Sequence, residues 1–346
     1  MPISFLRRAA CAAVAAALAL VPTTAADARV QSGPGPVPIG GARLGGHGVI
    51  AAPGVGALPR VTAPAWLIAD AASGNVLAAR DPHRQRRPAS TQKTLLALTM
   101  EPRLNPNGYY RADRADTRVE GTHVGLVAGQ TYSINDLWYG LFLRSGNDAA
   151  NAIAKAGAGR DVARAVSMMR AEARHLQAYD TRVANPSGLD APGQFASAYD
   201  LALWGRAALG HGDLRHYYGT LRHDFPGAHS SYQIYTQNRL IHHYPGAIGV
   251  KAGYTSLAHN TLIAAATRNG RTILVTLMGT RRNIYVQART LLDWGFAHAL
   301  VRPVGVLVSP LPALAPGDYP DPGRGPIAAG HPAPAAIPED NSRLSG

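Results

Sequence analysis

Three short groups of residues hold the side chains that could do covalent chemistry. The first is Ser90-Thr91-Gln92-Lys93, preceded by Pro88 and Ala89 and followed by an apolar run. On a helix, positions i and i+3 share a face, so the Lys93 amine can reach the Ser90 hydroxyl. A serine hydroxyl is a poor nucleophile until a base takes its proton. A lysine can be that base when desolvation or a second cation lowers its pKa. Pro88 suits the start of a helix, and the dipole there favours developing negative charge. The second group is Ser145-Gly146-Asn147. A hydroxyl here can relay a proton to a leaving amine, and an amide can hold a peptide carbonyl. The third is Lys251-Ala252-Gly253-Tyr254-Thr255. It reads as an edge-like strand with a cation, and with a glycine that lets a ligand approach the backbone. Each group alone is common by chance; the ordered set of three is far more specific.

These groups need elements to position them. Ala65 to Asp70 and Val76 to Ala79 are apolar runs around the turn signal Ser73-Gly74-Asn75, which predicts a β-hairpin. Thr94 to Met100 reads as a buried helix. From about 133 to 215 the pattern is helical. Ser133 and Asp136 resemble a capping box, and Ile134, Leu137, Trp138, Leu141 and Phe142 form one apolar face. Thr261 to Ala266 and Thr272 to Met278 predict a second hairpin around Arg268-Asn269-Gly270, and Gln287 to His298 a closing helix. Strands at both ends around a helical middle predict an α/β fold. In it, a sheet built from the two ends of the unit carries an inserted helical subdomain.

The chain has 346 residues, 46% of them hydrophobic, enough for a sizeable core. Residues 1–28 read as a signal peptide. Arg7 and Arg8 precede the apolar run Ala9 to Val21, which is too short to span a bilayer, and Ala26-Asp27-Ala28 fits a cleavage site. The sole cysteine, Cys11, lies inside it, so no disulfide framework is available. Removal of Arg7, Arg8 and Asp27 leaves a net charge of +12 out of +13. Residues 29–60 hold 9 Gly and 5 Pro and read as a linker. Residues 309–346, with 5 Gly and 9 Pro, read as a disordered tail. The folded unit expected between them is 61–308. No later apolar run is long enough for a transmembrane anchor in the mature chain. The expected location is the wall side of the membrane, as a secreted protein.

The order Ser-x-x-Lys, Ser-x-Asn, Lys-x-Gly is that of penicillin-binding proteins and class A β-lactamases. The surrounding segments sharpen this. Leu143-Arg144-Ser145-Gly146-Asn147-Asp148-Ala149-Ala150, Asn185-Pro186-Ser187-Gly188-Leu189-Asp190, Asn238-Arg239-Leu240 and Leu291-Leu292-Asp293-Trp294-Gly295-Phe296 all take part. Residues 61 to 300 resemble the D-alanyl-D-alanine carboxypeptidase family of low-molecular-mass penicillin-binding proteins. The resemblance implies the penicillin-binding/β-lactamase-like transpeptidase fold. It implies hydrolysis of the terminal D-alanine from peptidoglycan stem peptides through an acyl-serine, with β-lactams as covalent inhibitors and no metal or cofactor. Ser90 is then the nucleophile, Lys93 its base and Ser145 the proton shuttle. Asn147, Lys251, Gly253, Tyr254 and Thr255 bind substrate, and the Ser90 and Tyr254 N–H groups form the oxyanion hole.

Four departures stand out. Ala252 replaces the family's usual Thr, whose hydroxyl helps bind the substrate carboxylate. The family's carboxylate-binding arginine has only Arg281 and Arg282 as candidates. His259 stands where the family often has Gly. Only 38 residues follow position 308, too few for the C-terminal β domain and anchor of many relatives. Two rival readings keep the motifs: a catalytically weak or non-catalytic wall-binding module, suggested by Ala252, and a class A-like β-lactamase. The latter needs a glutamate between the second and third motifs, and only Glu172 falls there, without the E-x-x-L-N pattern. The 13 histidines show no H-E-x-x-H spacing for zinc, and the basic charge comes with no nucleic-acid motif.

Overall fold

The computed structural model describes residues 37–312. The expected leader 1–28 with Cys11, and residues 313–346 of the expected tail, lie outside the described residues. A 3-10 turn at Ala42–Gly45 leads to β1 (Val49–Ala51), followed by β2 (Ala65–Asp70) and β3 (Asn75–Arg80). A second 3-10 turn, Ala89–Gln92, runs straight into α1 (Lys93–Met100). The middle holds β4 (Tyr109–Arg111), α2 (Arg114–Thr117), β5 (Thr131–Ser133), α3 (Ile134–Leu143) and α4 (Asn147–Gly157). It continues with α5 (Val162–His175), α6 (Ala198–Gly210) and α7 (Gly212–Gly219). The hairpin β6 (Arg222–Pro226) and β7 (Ser231–Tyr235) and the short α8 (Arg239–His243) come next. The chain closes with β8 (Ala247–Thr255), β9 (His259–Arg268), β10 (Arg271–Thr280), α9 (Ile284–Ala297) and β11 (Gly305–Val306).

The main sheet is antiparallel in the order β1-β3-β2-β10-β9-β8, with β11 added on β3. Strands from both ends of the described chain therefore meet at β2–β10, where Leu67 pairs with Thr276 and Ile68 with Val275. Both faces are covered. Leu67, Ala69, Ile263, Ala265 and Leu274 point into the core with the helical insertion. Trp66, Ile68, Leu262, Ala264, Ile273 and Val275 point to the face covered by α9. Side chains alternate along a strand, so a sheet buried on both faces reads as the unbroken apolar runs seen in the sequence. This is the α/β arrangement expected, an antiparallel sheet flanked by helices with a helical insertion.

The boundaries of the expected linker and tail need correction. Within 29–60, β1 pairs with β3, Leu44 is fully buried in the core, and the Ile39 carbonyl lies 3.1 Å from His83 Nε2. The glycines and prolines there make turns that bring a short strand to an otherwise open sheet edge. Beyond 308, the Leu311 N–H donates to the His175 carbonyl at 2.8 Å, and Gln177 Nε2 donates to the Ser309 carbonyl at 2.8 Å. These backbone pairings carry no composition signal.

Leu67 is fully buried at the centre of the sheet. We expect Leu67→Ala to destabilise by about 3 kcal/mol, read as a lower urea midpoint with an unchanged slope. Val286→Ala, at a position 57% exposed, should stay within about 0.5 kcal/mol of wild type.

Candidate active site

The turn that presents Ser90 is held from three sides. The Pro88 carbonyl accepts hydrogen bonds from Thr91 Oγ1 at 2.5 Å and from Thr261 Oγ1 of β9 at 2.8 Å. Ala89 is buried at φ 48, a left-handed conformation that a non-glycine residue keeps only when its surroundings enforce it. Two glycines supply the room. A Cβ on Gly188 would sit 1.9 Å from the Ala89 carbonyl oxygen, and one on Gly253 would sit 2.6 Å from the Ser90 nitrogen and 2.9 Å from the Thr91 nitrogen. The edge strand β8 thus presses its backbone directly onto the nucleophile turn.

Lys93 opens α1 and is fully buried. Its Nζ lies 2.9 Å from Ser90 Oγ, 2.6 Å from Asn147 Oδ1 and 2.8 Å from the Ser187 carbonyl. Burial, and then the positive charge of Lys251, hold this amine well below the ordinary lysine range, with Asp148 opposing them. A neutral amine has two N–H bonds and one lone pair. The two carbonyl oxygens take the N–H bonds, which leaves the lone pair for the Ser90 hydroxyl. The geometry is therefore that of a base already facing its proton.

The second group reaches the same place from the loop between α3 and α4. Ser145 sits at φ 59, so here the serine itself, not Gly146, takes the left-handed conformation of the turn. Gly146 instead allows close packing, because a Cβ there would lie 2.6 Å from Asp148 Oδ1. Lys251 Nζ donates to Ser145 Oγ at 2.9 Å and to the Ala252 carbonyl at 2.6 Å. Burial lowers the Lys251 pKa to about 7. Asn147 is held by protein partners: its amide donates to the Glu120 carbonyl at 2.6 Å and its oxygen accepts from Lys93. Fully buried Asp148 accepts from the N–H groups of Val124, Gly125, Leu126 and Ala149. It thereby ties the 120–126 loop to α4 and keeps the Glu120 carbonyl on Asn147.

Ser90, Ser145, Lys251, Ala252, Gly253 and Tyr254 line one cavity of about 240 Å³. Its other walls include Phe142, Tyr218, Asn238, Asn260, Ile284 and Tyr285. Two expectations shift here. Thr255 is not part of this wall; its Oγ1 accepts the Ala258 N–H at 2.9 Å and stabilises the β8–β9 turn. Neither Arg281 nor Arg282 lines the cavity, and Arg281 Nε donates to His259 Nε2 at 3.0 Å. His259 itself takes φ 55, the left-handed turn conformation that a glycine would adopt without strain. Glu172 lines a separate cavity with His175 and His211. Among the described residues, no three His, Cys, Asp or Glu side chains are grouped to hold a metal.

A family model for D-alanyl-D-alanine carboxypeptidase matches residues 55–282. The chain belongs to the D-alanyl-D-alanine carboxypeptidase family. It is 41% identical over 247 residues to D-alanyl-D-alanine carboxypeptidase DacB2 of Mycobacterium tuberculosis, covering 69% of this chain and 84% of that protein. It is 34% identical over 256 residues to DacD of Escherichia coli, covering 68% of this chain and 64% of that protein. A crystal structure of a D-alanyl-D-alanine carboxypeptidase from M. tuberculosis superposes with TM-score 0.70 at 38% identity, over 76% of this chain and all of the other. Within this family framework, Asp148, Gly188 and Thr261 position the reacting groups without carrying a chemical signature of their own. Asp148 stood next to a motif, but its four backbone partners are 1 to 24 residues away in sequence and only the fold joins them.

Gly253→Ala should push β8 off the Ser90 turn. A displacement of about 1 Å near reacting atoms can lower the rate about 100-fold. We expect acylation by a fluorescent penicillin to slow by that order while the thermal midpoint changes little. An unchanged acylation rate would show that the close approach of β8 is not needed.

Proposed function

We propose that the chain is a serine-type D-Ala-D-Ala carboxypeptidase that removes the terminal D-alanine from peptidoglycan stem pentapeptides. The observation that carries this is the fully buried Lys93 amine, 2.9 Å from Ser90 Oγ and held by the Asn147 Oδ1 and Ser187 carbonyl oxygens. Ser90 Oγ attacks the carbonyl between the two D-alanines as its proton passes to Lys93. The oxyanion is held by the backbone N–H groups of Ser90 and Tyr254, worth about 3 kcal/mol per donor. The C–N bond then breaks, and Ser145 gives its proton to the departing amine, drawing on Lys251. Water attacks the acyl-serine ester and gives a proton back to Lys251 through Ser145; the shortened peptide leaves as Lys93 returns its proton to Ser90 Oγ. A β-lactam acylates Ser90 by the same attack, but its opened ring stays tethered in the cleft. We further propose export through residues 1–28 to the wall side of the membrane; among the described residues no helix is long and apolar enough to cross a membrane.

The reading of a class A-like β-lactamase loses its deacylating glutamate, since Glu172 lines another cavity. The reading of a non-catalytic module has to explain a complete, fully paired serine–lysine network.

Fluorescent penicillin should label wild type and leave Ser90→Ala unlabelled. Lys93→Ala should lower acylation by about 10²–10⁴-fold with the fold intact. Mass analysis of a pentapeptide digest should show loss of a single alanine; if wild type neither labels nor trims the peptide, the reading is wrong. The pH dependence has two limbs. On the acid side, kcat/KM falls once the depressed Lys93 amine takes a proton. Above pH about 7, Lys251 loses its charge and kcat/KM falls again. Lys251→Arg should abolish the alkaline limb, because a guanidinium stays charged.

A further inference from the structure

The side wall of the Ser90 cavity contains a buried amide with an unused donor. Asn238 lies between β7 and α8, is 7% exposed and lines the cavity together with Ser90, Ala252 and Tyr254. Its Oδ1 accepts the Leu240 N–H at 3.1 Å, capping α8, and its backbone N–H donates to Thr236 Oγ1 at 3.2 Å. Because the Leu240 N–H needs an oxygen, the cap also fixes which end of the amide is the NH2. That Nδ2 is buried with no hydrogen-bond partner. It is the single buried unpaired side-chain nitrogen or oxygen among the residues that line this cavity. A buried donor without a partner is unfavourable by about 1–3 kcal/mol, so a donor held this way awaits an acceptor.

The substrate supplies one. On the carboxypeptidase reading, on which this inference rests, the terminal carboxylate lies one residue past the scissile carbonyl. One residue spans about 3.5 Å, so the carboxylate must fall within the same cavity. The usual hydroxyl is missing there, because position 252 is alanine, and no arginine lines the wall. Lys251 has two of its N–H bonds committed to Ser145 and to the Ala252 carbonyl. We propose that Asn238 Nδ2 binds the C-terminal carboxylate of the substrate, taking over the contact that the hydroxyl at position 252 would have made.

The test compares two peptides that differ only in the C-terminal group, a free carboxylate or a carboxamide, by intact-protein mass measurement of Ser90 acylation. Asn238→Asp keeps the capping oxygen but replaces the NH2 by a second, charged oxygen. Asn238→Ser keeps a good helix cap and withdraws the donor. Wild type should prefer the carboxylate peptide. Asn238→Asp should lower that preference at least tenfold, through a loss in KM rather than kcat, and Asn238→Ser should lower it several-fold. Thermal midpoints and the final extent of penicillin labelling report the integrity of the site. If both peptides slow by the same factor, Asn238 is only a structural cap and the proposal is overturned; an unchanged preference overturns it equally. If wild type acylates with neither peptide and takes no penicillin, the carboxypeptidase reading itself fails, which is a separate outcome.

Discussion

A lysine amine enclosed in protein can be satisfied only in the charge state its neighbours accept. Lys93 faces two carbonyl oxygens, one hydroxyl and a second buried lysine. Burial and the charge of that second lysine penalise the ammonium form. Three separate segments must converge to supply these neighbours: the turn of Ser90, the α4 start at Asn147 and the loop at Ser187. The helical insertion exists, in functional terms, to bring the second and third of these onto the first. Its own supports follow the same logic, with Asp148 gathering four backbone N–H groups so that Asn147 faces Lys93.

The edge strand completes the arrangement. β8 carries Lys251 inward to Ser145 and places Gly253 against the Ser90 nitrogen. An edge strand has one side of its backbone unpaired, and here Lys251, Ala252, Gly253 and Tyr254 of that strand line the cavity. The backbone contacts are strained where they matter. Ala89 and Ser145 both take left-handed conformations, and both are locked by packing and hydrogen bonds from distant segments. Strain of this kind is maintained by the surrounding fold and keeps the reacting hydroxyls in place before substrate arrives.

Two buried lysines so close together make the cleft basic in a way that net charge does not describe. The chain carries +13 overall, which fits attraction to an anionic surface. Inside the cleft, however, burial and the charge of Lys251 hold Lys93 well below the ordinary lysine range, and burial brings Lys251 down to about 7. The difference between the two amines is that burial lowers both, while the charge of Lys251 lowers Lys93 further.

Much was legible from residue types and spacing. Ser90 and Lys93, three apart at a helix start, implied a shared face. The two terminal hairpins, read from apolar runs such as Thr261 to Ala266 around turn signals, implied a sheet from both ends. What the sequence could not show were contacts between residues far apart along it. Thr255 looked like cleft wall but closes a turn, because its hydroxyl meets an N–H three residues on. The stretch around Leu44 looked like linker but completes a sheet edge, because backbone pairing needs no particular side chain. Asn238 showed only as one member of a matching segment, since its free donor is defined by what does not touch it. Local spacing determines which groups can share a helix face or a strand. Burial, charge state and hydrogen-bond satisfaction depend on partners that only the folded chain brings within 3 Å.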